Sequence, residues 1–272
     1  DGDVLFASLR TGPGNGTLSL RSDGSFVYIP FDDFVGMDSF VVSVSDGLSE
    51  QASRIAISVG SAQEVLASRM ETVAMALKEA ASTSGYVRNL PAAYYGADGK
   101  LLVSWRVHLL RHLGYADLFS QFKLDEPWNS PHNLRLLPQV PIEYLTPEAA
   151  DGETRTRIQI AVDFDDLTSD RYILERKNNG QIDFRSFYSW WYADSTYSAL
   201  VVQSGSTAAV PWTAPDDIDI DPQSPLAGFG NLDDGRLVAA FSNGSVASLD
   251  TSYLSSNQVL GLLSWNDPEH VD

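Results

Sequence analysis

The chain of 272 residues carries 36 acidic against 18 basic side chains, a net charge of −18, and no cysteine. Such a surface repels polyanions, which argues against nucleic acid and anionic membranes as partners and favours divalent cations among ions. Disulfides and thiolate metal sites are excluded by composition. No run of about 18 apolar residues offers a membrane span. The opening Asp1-Gly2-Asp3 reads as the interior of something longer.

Residues 1–60 read as all-β. Thr17–Leu20 and Ser25–Ile29 alternate apolar and polar side chains about Arg21-Ser22-Asp23-Gly24, a hairpin signal because Asp-Gly tolerates the positive φ of a tight turn. Phe40, Val42 and Val44 fall on one face of the next strand. Ile55, Ile57 and Val59 do so on the last, with Asp46-Gly47 as the turn between.

The ordered elements Gly16-Thr17-Leu18, Asp23-Gly24-Ser25-Phe26, Tyr28-x-Pro30, Gly36-x-Asp38-Ser39-Phe40 and Val44-Ser45-Asp46-Gly47 resemble the cadherin-like, immunoglobulin-type repeat of giant bacterial surface proteins. The resemblance spans Asp1 to about Val59. It implies a β-sandwich, an incomplete one, since such repeats normally carry one or two more strands before the Asp-Gly-Asp. Asp1, Asp3, Asp38 and Asp46 are candidate calcium ligands, because calcium takes six to eight hard oxygens. The competing reading is turn chemistry, which draws Asp and Gly for conformational reasons alone.

After the short Gly60-Ser61 junction, Leu66, Met70, Val73, Leu77 and Ala81 recur at three- and four-residue steps, the stripe of an amphipathic helix. Gly85 suits its C-cap. Ser104 suits the N-cap of a second helix, with Val107, Leu110 and Leu113 on its apolar face and Gly114 interrupting it. Strands are expected at Ile158–Val162, Tyr172–Leu174, Phe184–Trp191, Leu200–Val202 and Leu237–Leu249, the last divided by Asn243-Gly244 into a hairpin. A short helix closes the chain around Asn257–Ser264. Helices followed by antiparallel strands predict an α+β domain over 61–272.

Three blocks of this second domain, Gly99–Val107, Phe122–Asn133 and Val210–Asp217, resemble a large planctomycetal pseudopilin-like family. The resemblance implies a pseudopilin-like α+β fold with an N-terminal helix and an antiparallel sheet, and it names no activity. Two departures stand out. Asp233 and Asn243-Gly244 occupy the place of the family's His, nine residues, Asp-Gly ending. A β-repeat replaces the hydrophobic prepilin helix. By analogy with the calcium loop of secretion pseudopilins, Asp125, Glu126 and Asn129 are further candidate calcium ligands. The alternative is a polar turn anchored by a buried Trp128, with His132 or Asn133 bonded to the backbone.

Catalytic constellations are missing. His108 and His112 have the i, i+4 spacing of a metal face, but Leu109 stands where a zincin needs Glu and Arg111 opposes a cation; a solvated helix face is the expectation. No nucleophile elbow, phosphate loop or dinucleotide fingerprint occurs. Carboxylate pairs are abundant, as in any chain so acidic. Asp216 to Asp221 reads as a solvated acidic loop, with a calcium site as the alternative.

The expected function is therefore non-enzymatic: an extracellular or cell-surface structural protein engaging itself or neighbouring subunits, with calcium as the one candidate cofactor. The alternative is a glycan- or peptide-binding module using the aromatic cluster of Phe187, Tyr188, Trp190, Trp191 and Tyr192.

Overall fold

The computed structural model describes residues 5–84, 96, 101–164, 174–176, 182–184, 199–241 and 243–263. It divides into two compact units, Asp1–Val65 and Leu66–Asp272.

The first unit is built of β1 (Phe6–Thr11), β2 (Gly16–Leu20), β3 (Phe26–Pro30), β4 (Gly36–Ser45) and β5 (Glu50–Val59). The strands β1-β4-β5 form one antiparallel sheet and β2-β3 a separate hairpin. The hairpin turns where the sequence places it, with Gly24 at φ +88°. Register puts Leu9, Phe40, Val42 and Ile55 on one face of the sheet. The hairpin covers that face: the Phe26 ring meets Phe40 edge-on at 5.0 Å. Within the hairpin Gly16 is required, because a Cβ there would lie 2.5 Å from the Tyr28 ring. Among the described residues of this unit, the buried apolar side chains are Phe40 and Val42; Leu9 and Phe26 each remain 45% exposed.

The second unit starts on α1 (Ala62–Ser84), which spans the division between the units. Its N-terminus is a reciprocal capping box: Ser61 Oγ accepts from Glu64 N–H, and the Glu64 carboxylate accepts from Ser61 N–H at 2.8 Å. The predicted stripe of Leu66, Met70, Val73 and Leu77 is buried. Two short helices follow, α2 (Trp105–Leu109) and α3 (Ala116–Phe119). Ser104 caps α2, its hydroxyl accepting from Arg106 N–H. The second helix is thus much shorter than its apolar pattern implies, and Gly114 at φ +86° turns the chain between the two pieces.

The strands that follow are β6 (Arg155–Thr156), β7 (Ile158–Gln159), β8 (Ala161–Phe164), β9 (Leu174–Arg176), β10 (Ile182–Phe184), β11 (Ala199–Gln203), β12 (Val210–Pro211), β13 (Ile218–Ile220), β14 (Arg236–Phe241) and β15 (Val246–Asp250), and α4 (Ser256–Leu263) closes the described chain. The sheet β15-β14-β11-β7 is antiparallel, and its β14-β15 hairpin turns at Gly244 as predicted. All five residues of β11 are buried, because both faces of the sheet are covered. One core gathers α1, the 101–110 segment and Trp212; the other gathers β13, Phe229 and α4.

The expectation of a purely antiparallel sheet is corrected. In the second sheet, β10-β9-β8-β13, strand β8 pairs in parallel with both β9 and β13. Parallel pairing needs crossover connections rather than hairpins, which the alternation of residues does not reveal. The reading of Asp216–Asp221 as a solvated loop is also corrected: Ile218 and Ile220 are buried in β13.

Candidate functional site

Among the described residues of the second unit, a buried polar cluster lies where two of the three singled-out blocks meet. Arg106 is fully buried, and its Nη2 lies 2.7 Å from Asp217 Oδ1. The Asp217 carboxylate also accepts from the Trp105 indole N–H at 2.9 Å and from Ile160 N–H at 3.0 Å. The remaining guanidinium donors reach Ile158 O at 3.0 Å and Ser104 Oγ at 2.8 Å. Burial pushes the Asp217 carboxyl above its ordinary value, against the opposing pull of Arg106 and the N–H donors.

Aromatic rings wrap this pair. The Tyr144 hydroxyl donates to Arg106 O at 2.8 Å, and its ring stacks on Trp212 at 6.0 Å. Trp105 meets Tyr144 edge-on, and Phe122 meets Trp212 edge-on. The Trp212 indole N–H donates to Leu137 O at 2.8 Å. Every hydrogen bond named here ends on another protein atom, so the cluster ties Trp105 and Arg106 of α2 to Ile158, Ile160 and Asp217. Composition gives no hint of the Arg106–Asp217 pair. The usable signal is position: each residue sits inside a tryptophan-bearing block, Ser104-Trp105-Arg106-Val107 or Val210-Pro211-Trp212-Thr213-Ala214-Pro215-Asp216-Asp217.

The third block folds about Asn133. Its side-chain amide donates to Lys123 O, Glu126 O and Pro127 O, and its Oδ1 accepts from Lys123 N–H at 3.1 Å. His132 Nε2 lies 2.8 Å from Gln121 O. Trp128 is half-buried against the larger core rather than fully buried. Glu126 engages the Lys123 ammonium at 2.9 Å, and that contact, followed by a bond from Ser130, holds its carboxyl below the ordinary value. Asp125 and Asn129 are exposed on the same loop. The loop carries the hydrogen bonds of a polar turn.

In the first unit, Asp38 is buried and its carboxylate accepts from Gly14 N–H at 2.9 Å, Asn15 N–H at 2.8 Å, Ser39 N–H at 2.7 Å and Tyr28 O–H at 2.9 Å. Burial raises its pKa, but these four donors outweigh that and hold it at about 2. Asp46 accepts from Leu48 N–H and Ser49 N–H in its turn, which lowers its pKa, the Ser49 bond foremost. Asp38 and Asp46 stand near opposite ends of ten-residue β4, roughly 25 Å apart along an extended strand. They do not form one site. Among the described residues, no three His, Asp or Glu side chains come together to hold a metal. Asp1 and Asp3 lie outside the described residues, as do Phe187, Tyr188, Trp190, Trp191 and Tyr192.

The histidine pair departs from expectation. His108 is half-buried rather than solvated, packing 6.4 Å from the Phe119 ring. Burial, with Arg111 assisting, lowers its pKa to about 4. His112 Nδ1 lies 3.9 Å from Glu79. Asp233, standing where the resembled family has His, pairs with Arg157.

Comparison with known proteins decides the first unit. Residues 1–58 match the family model of the bacterial Ig domain. The match covers β1 to the last but one residue of β5 and stops short of the second unit. No curated protein and no solved structure matches the chain. The Ig match gives the first unit surface-type, structural character. Among the described residues no helix is long and apolar enough to cross a membrane.

Proposed function

We propose that this chain is a non-enzymatic structural part of a bacterial cell-surface protein, in which the Ig module joins neighbouring polypeptides and the second unit is a folded, pseudopilin-like domain. The observation that carries the reading is the Ig match over residues 1–58. Two features of the second unit support it. Its buried polar cluster, Arg106 with Asp217, spends its donors on internal acceptors. Its long first helix followed by an antiparallel sheet suits the pseudopilin-like resemblance of the three blocks.

Location tests this reading. On intact cells, the native protein should be cut by added protease and labelled by an impermeant amine reagent. Cleavage and labelling only after lysis would contradict it.

A further inference from the structure

Within the second unit, α1 shares one core with the 101–110 segment. Burial of Met70, Val73 and Leu77 on the helix, and of Val107 and Leu110 in and after α2, fixes which flank of α1 meets the turn that follows α2. On that flank Glu71, Met75 and Glu79 recur at four-residue steps, one face of a helix. His112 comes from the turn. Together with Lys78, these residues line a cavity of about 620 Å³.

In this cavity His112 Nδ1 lies 3.9 Å from Glu79 Oε2. That is too long for a hydrogen bond. It suits two ligand atoms on one metal ion, which stand roughly 3–4 Å apart when each bond is about 2 Å long. Solvent reaches both side chains, 21% exposed for His112 and 62% for Glu79. Met75, one helical turn before Glu79, is 45% exposed, and its unbranched thioether can swing on three torsions. The cation that the i, i+4 histidine spacing sets against a metal is engaged elsewhere: the Arg111 guanidinium lies 4.6 Å over the Phe119 ring. His108 packs on that same ring, so His112 faces a carboxylate of α1 rather than a second histidine.

We propose that Glu79 and His112 hold a copper(II) ion in this cavity, with the Met75 thioether as a weak third ligand and water completing the shell. Ligand type selects the metal. One imidazole and one carboxylate suit several divalent ions, the affinity order among first-row ions peaks at copper, and a thioether favours copper over calcium or magnesium. The net charge of −18 concentrates divalent cations around the chain. Lys78 is the opposing charge among the described lining residues, and it limits the affinity. The inference goes beyond the surface-structural reading and needs neither the Ig match nor a surface location.

The test titrates the intact chain with copper(II) and with zinc by calorimetry, and records the electron paramagnetic resonance of the copper-loaded protein. The expected result is one saturable copper site, about tenfold or more tighter than zinc, whose spectrum carries a single imidazole nitrogen. His112→Ala and Glu79→Gln should each weaken that site by about tenfold or more, and His112→Ala should remove the nitrogen signal. Met75→Leu should weaken it less, Lys78→Met should tighten it, and His132→Ala should leave it unchanged. The urea midpoint read by tryptophan fluorescence should stay the same in His112→Ala, which separates a lost ligand from a lost fold; the tightening by Lys78→Met reads the site without removing any ligand. Four results would overturn the proposal: no saturable copper site in the wild-type chain, a site that survives both ligand substitutions, zinc bound as tightly as copper, or a nitrogen signal kept in His112→Ala.

Discussion

The two units solve burial differently. In the second, α1, the tryptophan-bearing blocks and α4 close over both faces of one sheet, and even an arginine is fully enclosed with its counter-ion. In the first, two thin layers meet at Phe40 and Val42, while Leu9 and Phe26, on the same inner surface, stay 45% exposed. Small domains bury a low fraction of their surface, and this one leaves part of its interior face uncovered. The lesson is that burial differs along one chain: the second unit encloses a charged pair within its core, and the first leaves part of its inner face half-exposed.

The contrast breaks most sharply at Arg106. Asp217→Asn leaves a buried guanidinium uncompensated and should cost the second unit about 3–5 kcal/mol. All six tryptophans lie after residue 100, so urea unfolding followed by tryptophan fluorescence reads that unit alone, and its midpoint should fall steeply. Arg106→Met/Asp217→Leu should recover part of the loss, since a buried pair replaced by apolar groups is often near neutral. Asn133→Ala strands carbonyls of the 123–133 loop and should cost about 2 kcal/mol or more by the same measurement.

Much of this was legible beforehand. The α1 stripe, the Ser104 cap and the Asp23-Gly24 and Asn243-Gly244 hairpins follow from periodicity and turn chemistry that act locally. Local pattern did not give the parallel pairing of β8 with β13, nor the shortness of α2, where the turn at Gly114 overrides a continuing apolar face. The candidate site divides the same way. Turn roles for Asp46 and Asn133 could be weighed from spacing. The partnership of Arg106 with Asp217 spans more than a hundred residues and leaves only the marked tryptophan blocks as its trace.

Smaller effects sharpen the account of the first unit. Asp38 is held at about 2 in the folded state, below the ordinary value of roughly 3.9 for an unfolded Asp. Its stabilising contribution is therefore complete above that ordinary value and is lost as pH falls through about 2. Acid titration followed by circular dichroism should show the β-signal of the first unit weakening over that window, and Asp38→Asn should remove this pH dependence. Calcium should act least. The Asp38 oxygens already accept four donors, and millimolar calcium or a chelator should leave the melting midpoint of the first unit unchanged. An upward shift with calcium would support the metal reading, because a ligand bound only by the folded state must stabilise it.

Native-state amide exchange, resolved residue by residue on the intact chain, tests the central contrast most directly. Amides of β11 and β14 should exchange only through global opening of the second unit, while the hydrogen-bonded amides of the β2-β3 hairpin, in the half-exposed layer of the first, exchange orders of magnitude faster. Hairpin amides as well protected as those of β11 and β14 would contradict the account.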